Sequence, residues 1–348
     1  MMHRCTAQNG RALVGALLGV VVLVGCRQRG VDCQERAPTV EDDALCRVPG
    51  WRNRDYLLHL PAGYDPGVAY PLVIAFHGGG GQKEGMNGLT CEDGDEASPT
   101  CLSAVADAEG FIVAYPDGTA NRLGFRSWNH GGDAPGLHCS YACEQGIDDI
   151  AYFDALVDDL LGVASIDRQR IYATGFSNGG GMSHRLACAR ADRLAAIAAV
   201  GGANQFAAGA TCSPSRPIPV LQIHGSDDPC WPYAGGEASC LPGQGGNYAG
   251  VLATVIGDER DPGWVTRNGC EPTPILSDLE DPVDDGTRGT LMSFAGCAAE
   301  TALITVEGGG HSWPGGDLYL SEDRIGRLSR DFSASQRIAS FFAAHSLP

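Results

Sequence analysis

The sequence predicts an α/β fold, a mostly parallel central sheet with helices on both faces. Seven short apolar runs bounded by Gly and Pro read as strands: Tyr56–Leu60, Leu72–Phe76, Phe111–Tyr115, Arg170–Thr174, Ile197–Val200, Val220–Ile223 and Ala302–Val306. Several lack polar alternation, as strands covered on both faces do. Helical patterns lie between them, and strands alternating with helices argue for a parallel sheet.

The first elements concern compartment. Arg4 and Arg11 give a positive start, and residues 12–25 form an uncharged apolar run. The run is short for a membrane span and reads as the core of a signal peptide over 1–25. It ends in Leu23-Val24-Gly25-Cys26, a lipobox-like stretch. Cys26 is therefore expected to be acylated and to become the N-terminus, a lipid anchor as the only membrane contact. Residues 26–50 are polar and read as a tether leading to a cystine-closed loop. Residues 51–348 are expected to form a single domain.

The chain has 14 cysteines. Setting aside Cys5 and Cys26 leaves an even number, as an exported disulfide framework requires. Spacing suggests the local pairs Cys33–Cys46, Cys91–Cys101, Cys139–Cys143, Cys188–Cys212, Cys230–Cys240 and Cys270–Cys297. The cysteines lack zinc-type spacing. The acidic loops 91–96 and 277–285 lack a complete calcium-ligand pattern. A net charge of −18 argues against a nucleic-acid partner.

Among the helices, residues 148–162 place Ile150, Phe153, Leu156, Val157 and Leu160 on one face. Asp148 and Asp149 at its start are expected to cap it. A second helix is expected over Met182–Arg190 and a last one over 331–344.

The chemistry centres on Gly175-Phe176-Ser177-Asn178-Gly179, a G-x-S-x-G motif between a strand and a helix. Such a turn lifts the serine hydroxyl above the sheet. Serine needs a base to act as a nucleophile at neutral pH. His311, in Gly308-Gly309-Gly310-His311, follows the last expected strand and can return over Ser177. His77 and His224 also end strands and are read as loop supports. The acid lies in His224-Gly225-Ser226-Asp227-Asp228, where two aspartates compete. Either gives the chain order Ser, Asp, His of α/β hydrolases. The oxyanion hole needs two backbone N–H groups. Asn178 supplies one, and Gly79, in His77-Gly78-Gly79-Gly80-Gly81, the other.

With these motifs the chain resembles the exported bacterial and fungal esterases grouped as polyhydroxybutyrate depolymerases and feruloyl or acetyl xylan esterases. The resemblance covers about 54–345, through PLVIAFHGGGG, VAYPDG, SWN, IDDI, IDRQRIYATGFSNGGGMSHRLAC, RPIPVLQIHGSDDP, RNGC and VEGGGHSWPGG. It implies an α/β-hydrolase fold and an acyl-enzyme esterase needing no cofactor or metal. The family pattern H-G-x-x-D selects Asp228, and its oxyanion donor matches Gly79. Departures are Gly79 and Gly181, where cysteine and methionine are common, and residues 231–262, reworked around an extra cysteine pair. Trp128, Trp231, Tyr233 and Trp313 are expected as aromatic walls for a small or oligomeric ester: aromatic, acetyl or short hydroxyalkanoate. A serine peptidase on this fold, or a ligand-binding surface lipoprotein without turnover, are the rival readings.

Overall fold

A computed structural model describes Cys33, residues 43–238, Cys240 and residues 245–348. The expected signal peptide, Cys26 and most of the expected tether lie outside the described residues. Ten strands form one sheet: β1 Ala44–Arg47, β2 Asp55–His59, β3 Tyr70–Phe76, β4 Ile112–Pro116, β5 Ile166–Phe176, β6 Ala196–Val200, β7 Val220–Gly225, β8 Pro274–Asp278, β9 Arg288–Phe294 and β10 Thr301–Glu307. Their order is β1-β2-β4-β3-β5-β6-β7-β10-β9-β8. The six central strands, β4 to β10 in that order, run parallel, and both edges are antiparallel.

The period of two along each strand sorts the core into two layers. Leu72, Ile74 and Phe76 of β3 face one way with Ile171 and Ile197. Two helices cover them, α2 (Asp149–Val163) through Phe153, Leu156 and Leu160, and α3 (Asn178–Ala189) through Met182 and Leu186. Val73 and Ala75 face the other way with Tyr172, Leu221 and Ile304. There α1 (Leu102–Glu109) and α4 (Ala334–Ala343) close the layer. In α4, Ile338, Phe341 and Phe342 lie on one helical face, and Phe342 stacks on Tyr172 at 4.5 Å. Burying each such side chain contributes roughly 1.5–3 kcal/mol.

All seven expected strands form, and three more extend the edges. β1 arises inside the segment expected to be a loop, with the Cys33–Cys46 disulfide at its end. β8 and β9 were not expected; every residue of β8 is exposed, so no buried face marks it. The six expected disulfides are all present.

The two aspartates at the start of α2 part ways. Asp148 is the N-cap and accepts from the Ala151 N–H at 2.9 Å. Asp149, also expected to cap, is instead fully buried. It pairs with Arg54 at 2.6 Å and accepts from the Asn129 N–H at 2.6 Å. A buried carboxylate needs such partners to offset its desolvation.

Because the parallel strands lie side by side, the loops leaving their carboxyl ends converge at one rim of the sheet. Phe76 of β3 is in register with Gly175 of β5, Phe176 of β5 with Val200 of β6, and Gly225 of β7 with Val306 of β10. The segments bearing Gly79, Ser177, Asp228 and His311 therefore leave one rim.

Candidate active site

Ser177 sits at φ 55° and ψ −117°, in the sparsely allowed region where a non-glycine residue is strained. The strain is held by the turn: its N–H donates to the Val200 carbonyl at 2.8 Å, and its carbonyl accepts from Gly181 at 3.0 Å. The flanking glycines are sterically required. A Cβ on Gly175 would lie 2.5 Å from the Gly179 carbonyl, and one on Gly179 would overlap the Phe76 carbonyl oxygen. Backbone packing at this density leaves no alternative, and Ser177 is left half-buried at the rim.

His311 follows β10 at the same rim and packs on the residue before Ser177. Its Nδ1 bonds to Oδ2 of Asp228 at 2.6 Å. Its ring packs on Phe176 with centroids 4.7 Å apart, and it borders Gly201. No hydrogen bond joins Ser177 Oγ to His311 among the described residues.

Asp228 is buried and fully engaged. Oδ1 accepts from the Cys230 and Trp231 N–H groups, each at 2.8 Å, and Oδ2 faces both His311 and His224 Nε2, the latter at 3.2 Å. Burial alone would raise its pKa, but His311 and the His224 contact outweigh burial and hold the carboxyl well below the usual range. Asp227, by contrast, is exposed and accepts from the Ser226 hydroxyl at 2.7 Å.

The glycine loop lies against the serine: a Cβ on Gly78 would sit 3.4 Å from Ser177 Cβ. Within the loop Gly80 donates to the Arg126 carbonyl at 2.7 Å and Gly81 to the Gly78 carbonyl at 3.0 Å. The Gly79 N–H has no such partner among the described residues. Neither has that of Asn178, the first of α3, where the helix offers no acceptor. The Asn178 side chain grips the Trp128 backbone at both ends, at 2.6 and 3.0 Å.

His77 serves the same loop. Its Nε2 accepts from the Gly118 N–H at 2.9 Å, so Nδ1 carries the proton and donates to the Gly78 carbonyl at 2.7 Å. Burial lowers its pKa to about 3. It stays neutral and has no free nitrogen for proton transfer.

Residues 138–240 match the phospholipase/carboxylesterase family. NocK from Nocardia uniformis, a protein carrying an esterase name, is 30% identical over 334 residues, 88% of this chain and 85% of NocK. Feruloyl esterase C of Emericella nidulans is 30% identical over 257 residues, 74% of this chain and 76% of that protein. The chain belongs to this esterase family. It is a carboxylic-ester hydrolase of the α/β-hydrolase fold. In structure it is similar to an acetyl xylan esterase from Aspergillus awamori, at 14% identity and a TM-score of 0.52 over 83% of this chain and 94% of that one.

The aromatic residues of the esterase differ from expectation. Trp128, Trp231 and Trp313 are 0, 1 and 0% exposed and cannot touch a ligand at the rim. Each indole N–H instead donates inside the fold: Trp128 to the His77 carbonyl at 3.0 Å, Trp231 to the Ala249 carbonyl at 2.9 Å and Trp313 to Ser335 Oγ at 3.1 Å. They support the loops from behind, because a large side chain with one donor is easily satisfied in a core. Tyr233 is half-buried and its hydroxyl pairs with Thr305 at 2.8 Å.

Two aromatics that the sequence reading passed over are exposed near the rim. Phe125, 58% exposed, is the nearest side chain to a Cβ on Gly80, at 3.8 Å. Tyr319, 36% exposed, meets Phe176 edge-on at 5.8 Å on the His311 side. Exposure is their only mark, and sequence does not carry it.

Among the described residues, Asp228, Cys230 and His311 come close enough to suggest a cation site. Cys230 is in a disulfide with Cys240, and Asp228 and His311 are bonded to each other, so the donor set suits a proton and not a metal. A cavity of about 450 Å³ elsewhere, bordered by Asn204, Tyr248 and Asp261, includes none of Ser177, Asp228 and His311.

Proposed function

We propose that the esterase works through an acyl-enzyme on Ser177. His311 Nε2 takes the hydroxyl proton as Oγ attacks the ester carbonyl. The oxyanion binds the N–H groups of Gly79 and Asn178. Collapse breaks the ester C–O bond, and His311 returns its proton to the leaving alcohol. Water then repeats the cycle and frees the acid and Ser177. Asp228 holds the imidazole tautomer and stabilises the imidazolium. The observation that carries this reading is the 2.6 Å Asp228–His311 bond beside a serine at φ 55°.

The substrate is a soluble or oligomeric ester whose acyl group is aromatic, acetyl or a short hydroxyalkanoate, flanked by Phe125 and Tyr319. The names of the relatives support the aromatic and acetyl choices. Six disulfides support an oxidising compartment. Export with a lipid anchor at Cys26 follows from the leader, and an intact mass showing an unmodified mature N-terminus would overturn the anchor.

A fluorophosphonate probe should label the wild type at Ser177, while Ser177→Ala should be unlabelled and lose roughly a millionfold in kcat. Labelling elsewhere, or turnover by the variant, would refute the nucleophile assignment.

A further inference from the structure

A second histidine reaches the acid from below, at the end of a buried chain of polar groups. Trp264 Nε1 donates to His184 Nδ1 at 3.0 Å. His184 Nε2 meets Gln222 Oε1 at 2.8 Å. Gln222 Nε2 meets His224 Nδ1 at 3.3 Å. His224 Nε2 then faces the Trp231 carbonyl at 2.8 Å and Asp228 Oδ2 at 3.2 Å. From Trp264 to His311 every member is at most 4% exposed.

The direction of this chain is determined by its far end. An indole N–H only donates. His184 Nδ1 must therefore be the lone-pair nitrogen, and His184 Nε2 carries the proton and donates to Gln222 Oε1. That orients the amide, so its NH₂ points at His224 Nδ1. His224 Nδ1 then accepts, and the His224 proton sits on Nε2, which bonds the Trp231 carbonyl at 2.8 Å with Asp228 Oδ2 beside it at 3.2 Å. Burial lowers the His184 pKa to about 4, which agrees with a neutral ring there. Gln222 lies mid-strand in β7, between two covered faces, where an apolar side chain would cost less. The neighbouring β7 residues Leu221 and Ile223 are apolar core. A fully satisfied polar network in such a place specifies one arrangement.

We propose that His224 is a positioning residue for ester hydrolysis. Its Nε2–H, aimed by the Trp264–His184–Gln222 chain, holds the Trp231 carbonyl and faces the Asp228 oxygen that bonds His311, fixing the Asp228–Trp231 turn. The backbone amides of Cys230 and Trp231 secure Oδ1, and His224 Nε2 stands 3.2 Å from Oδ2, the oxygen that also meets His311. This inference rests on the assignment of Ser177, Asp228 and His311 above.

The test uses His224→Phe, which keeps ring volume without the donor, and His224→Gln, which returns an amide N–H near the Nε2 position. Gln222→Met cuts the chain one link upstream. Each is assayed on p-nitrophenyl acetate per active site titrated with fluorophosphonate, so loss of folded protein does not enter. His224→Phe should lose roughly 10–100-fold in kcat with KM within about twofold, as a small misalignment does. His224→Gln should recover about tenfold of that, and Gln222→Met should lose about threefold or more. A kcat within twofold of wild type for His224→Phe, or no recovery in His224→Gln, would overturn the proposal. If His224→Phe does not fold, Gln222→Met decides: a kcat within twofold of wild type overturns it equally. Ser177→Ala and Asp228→Asn run alongside; full activity in either would mean that the underlying site assignment failed, whatever His224 does.

Discussion

Replacing Asp228 by Asn is a nearly isosteric change whose outcome follows from three hydrogen bonds and one histidine contact. The backbone amides of Cys230 and Trp231 both donate to Oδ1 at 2.8 Å, so the asparagine must keep its carbonyl oxygen there. Its NH₂ then falls at the Oδ2 position, facing His311 Nδ1 at 2.6 Å and His224 Nε2 at 3.2 Å. To avoid donor against donor, His311 must place its proton on Nε2. That is the nitrogen that must accept from Ser177. The expected loss is roughly 10⁴-fold in kcat, about 5 kcal/mol of transition-state stabilisation, with KM little changed. Asp227→Asn is the control: its exposed side chain meets only Ser226, and kcat should stay within about threefold. Steady-state hydrolysis of p-nitrophenyl acetate by the two purified variants decides the matter. A loss under tenfold in Asp228→Asn, or a larger loss in Asp227→Asn, would refute the reasoning.

Two further outcomes follow from other parts of the fold. Burial lowers the pKa of His77 and His130 to about 3 and of His184 to about 4. The folded rings stay neutral while the unfolded chain takes up protons below about pH 6.5, so stability falls as pH drops from there toward 4. Three such groups give a slope of about 4 kcal/mol per pH unit, which urea midpoints between pH 4.5 and 8 should reveal; midpoints that stay level below pH 6 would contradict it. At the rim, Phe125→Ala and Tyr319→Ala should each raise KM for methyl ferulate about five- to tenfold while changing that for p-nitrophenyl acetate little. Equal effects on both esters would remove these rings from the acyl site.

Some of this architecture was legible because it is local. Six of the seven expected strands are parallel and show as apolar runs since both faces of such a strand are covered, whereas β2, antiparallel to β4, alternates buried and half-buried residues. The G-x-S-x-G turn is likewise written in adjacent residues: Gly175 and Gly179 are needed by the backbone that Ser177 bends. Cysteine pairs close in sequence needed no tertiary knowledge. Other features depend on what comes from far away in the chain. β8 is exposed along its whole length, Ile275 and Leu276 included, and pairs only with the edge that β9 offers. Asp149 became a buried partner and not a cap because Arg54, distant in sequence, arrives beside it. Trp128, Trp231 and Trp313 stand in loops near the site, yet their indoles turn inward, since burial of a large ring with one satisfied donor is favoured over exposure. Adjacent residues Asp227 and Asp228 are alike to a local reading. The fold separates them by turning one side chain to water and the other toward two histidines and two amides. Sequence alone determined the strands, the serine turn and the chemistry they can carry, because those depend on short-range sterics and periodicity. Only the tertiary structure shows which aspartate is buried against two histidines, which indoles turn inward and which ring nitrogens accept, because burial and hydrogen-bond direction belong to neighbours the chain brings together only on folding.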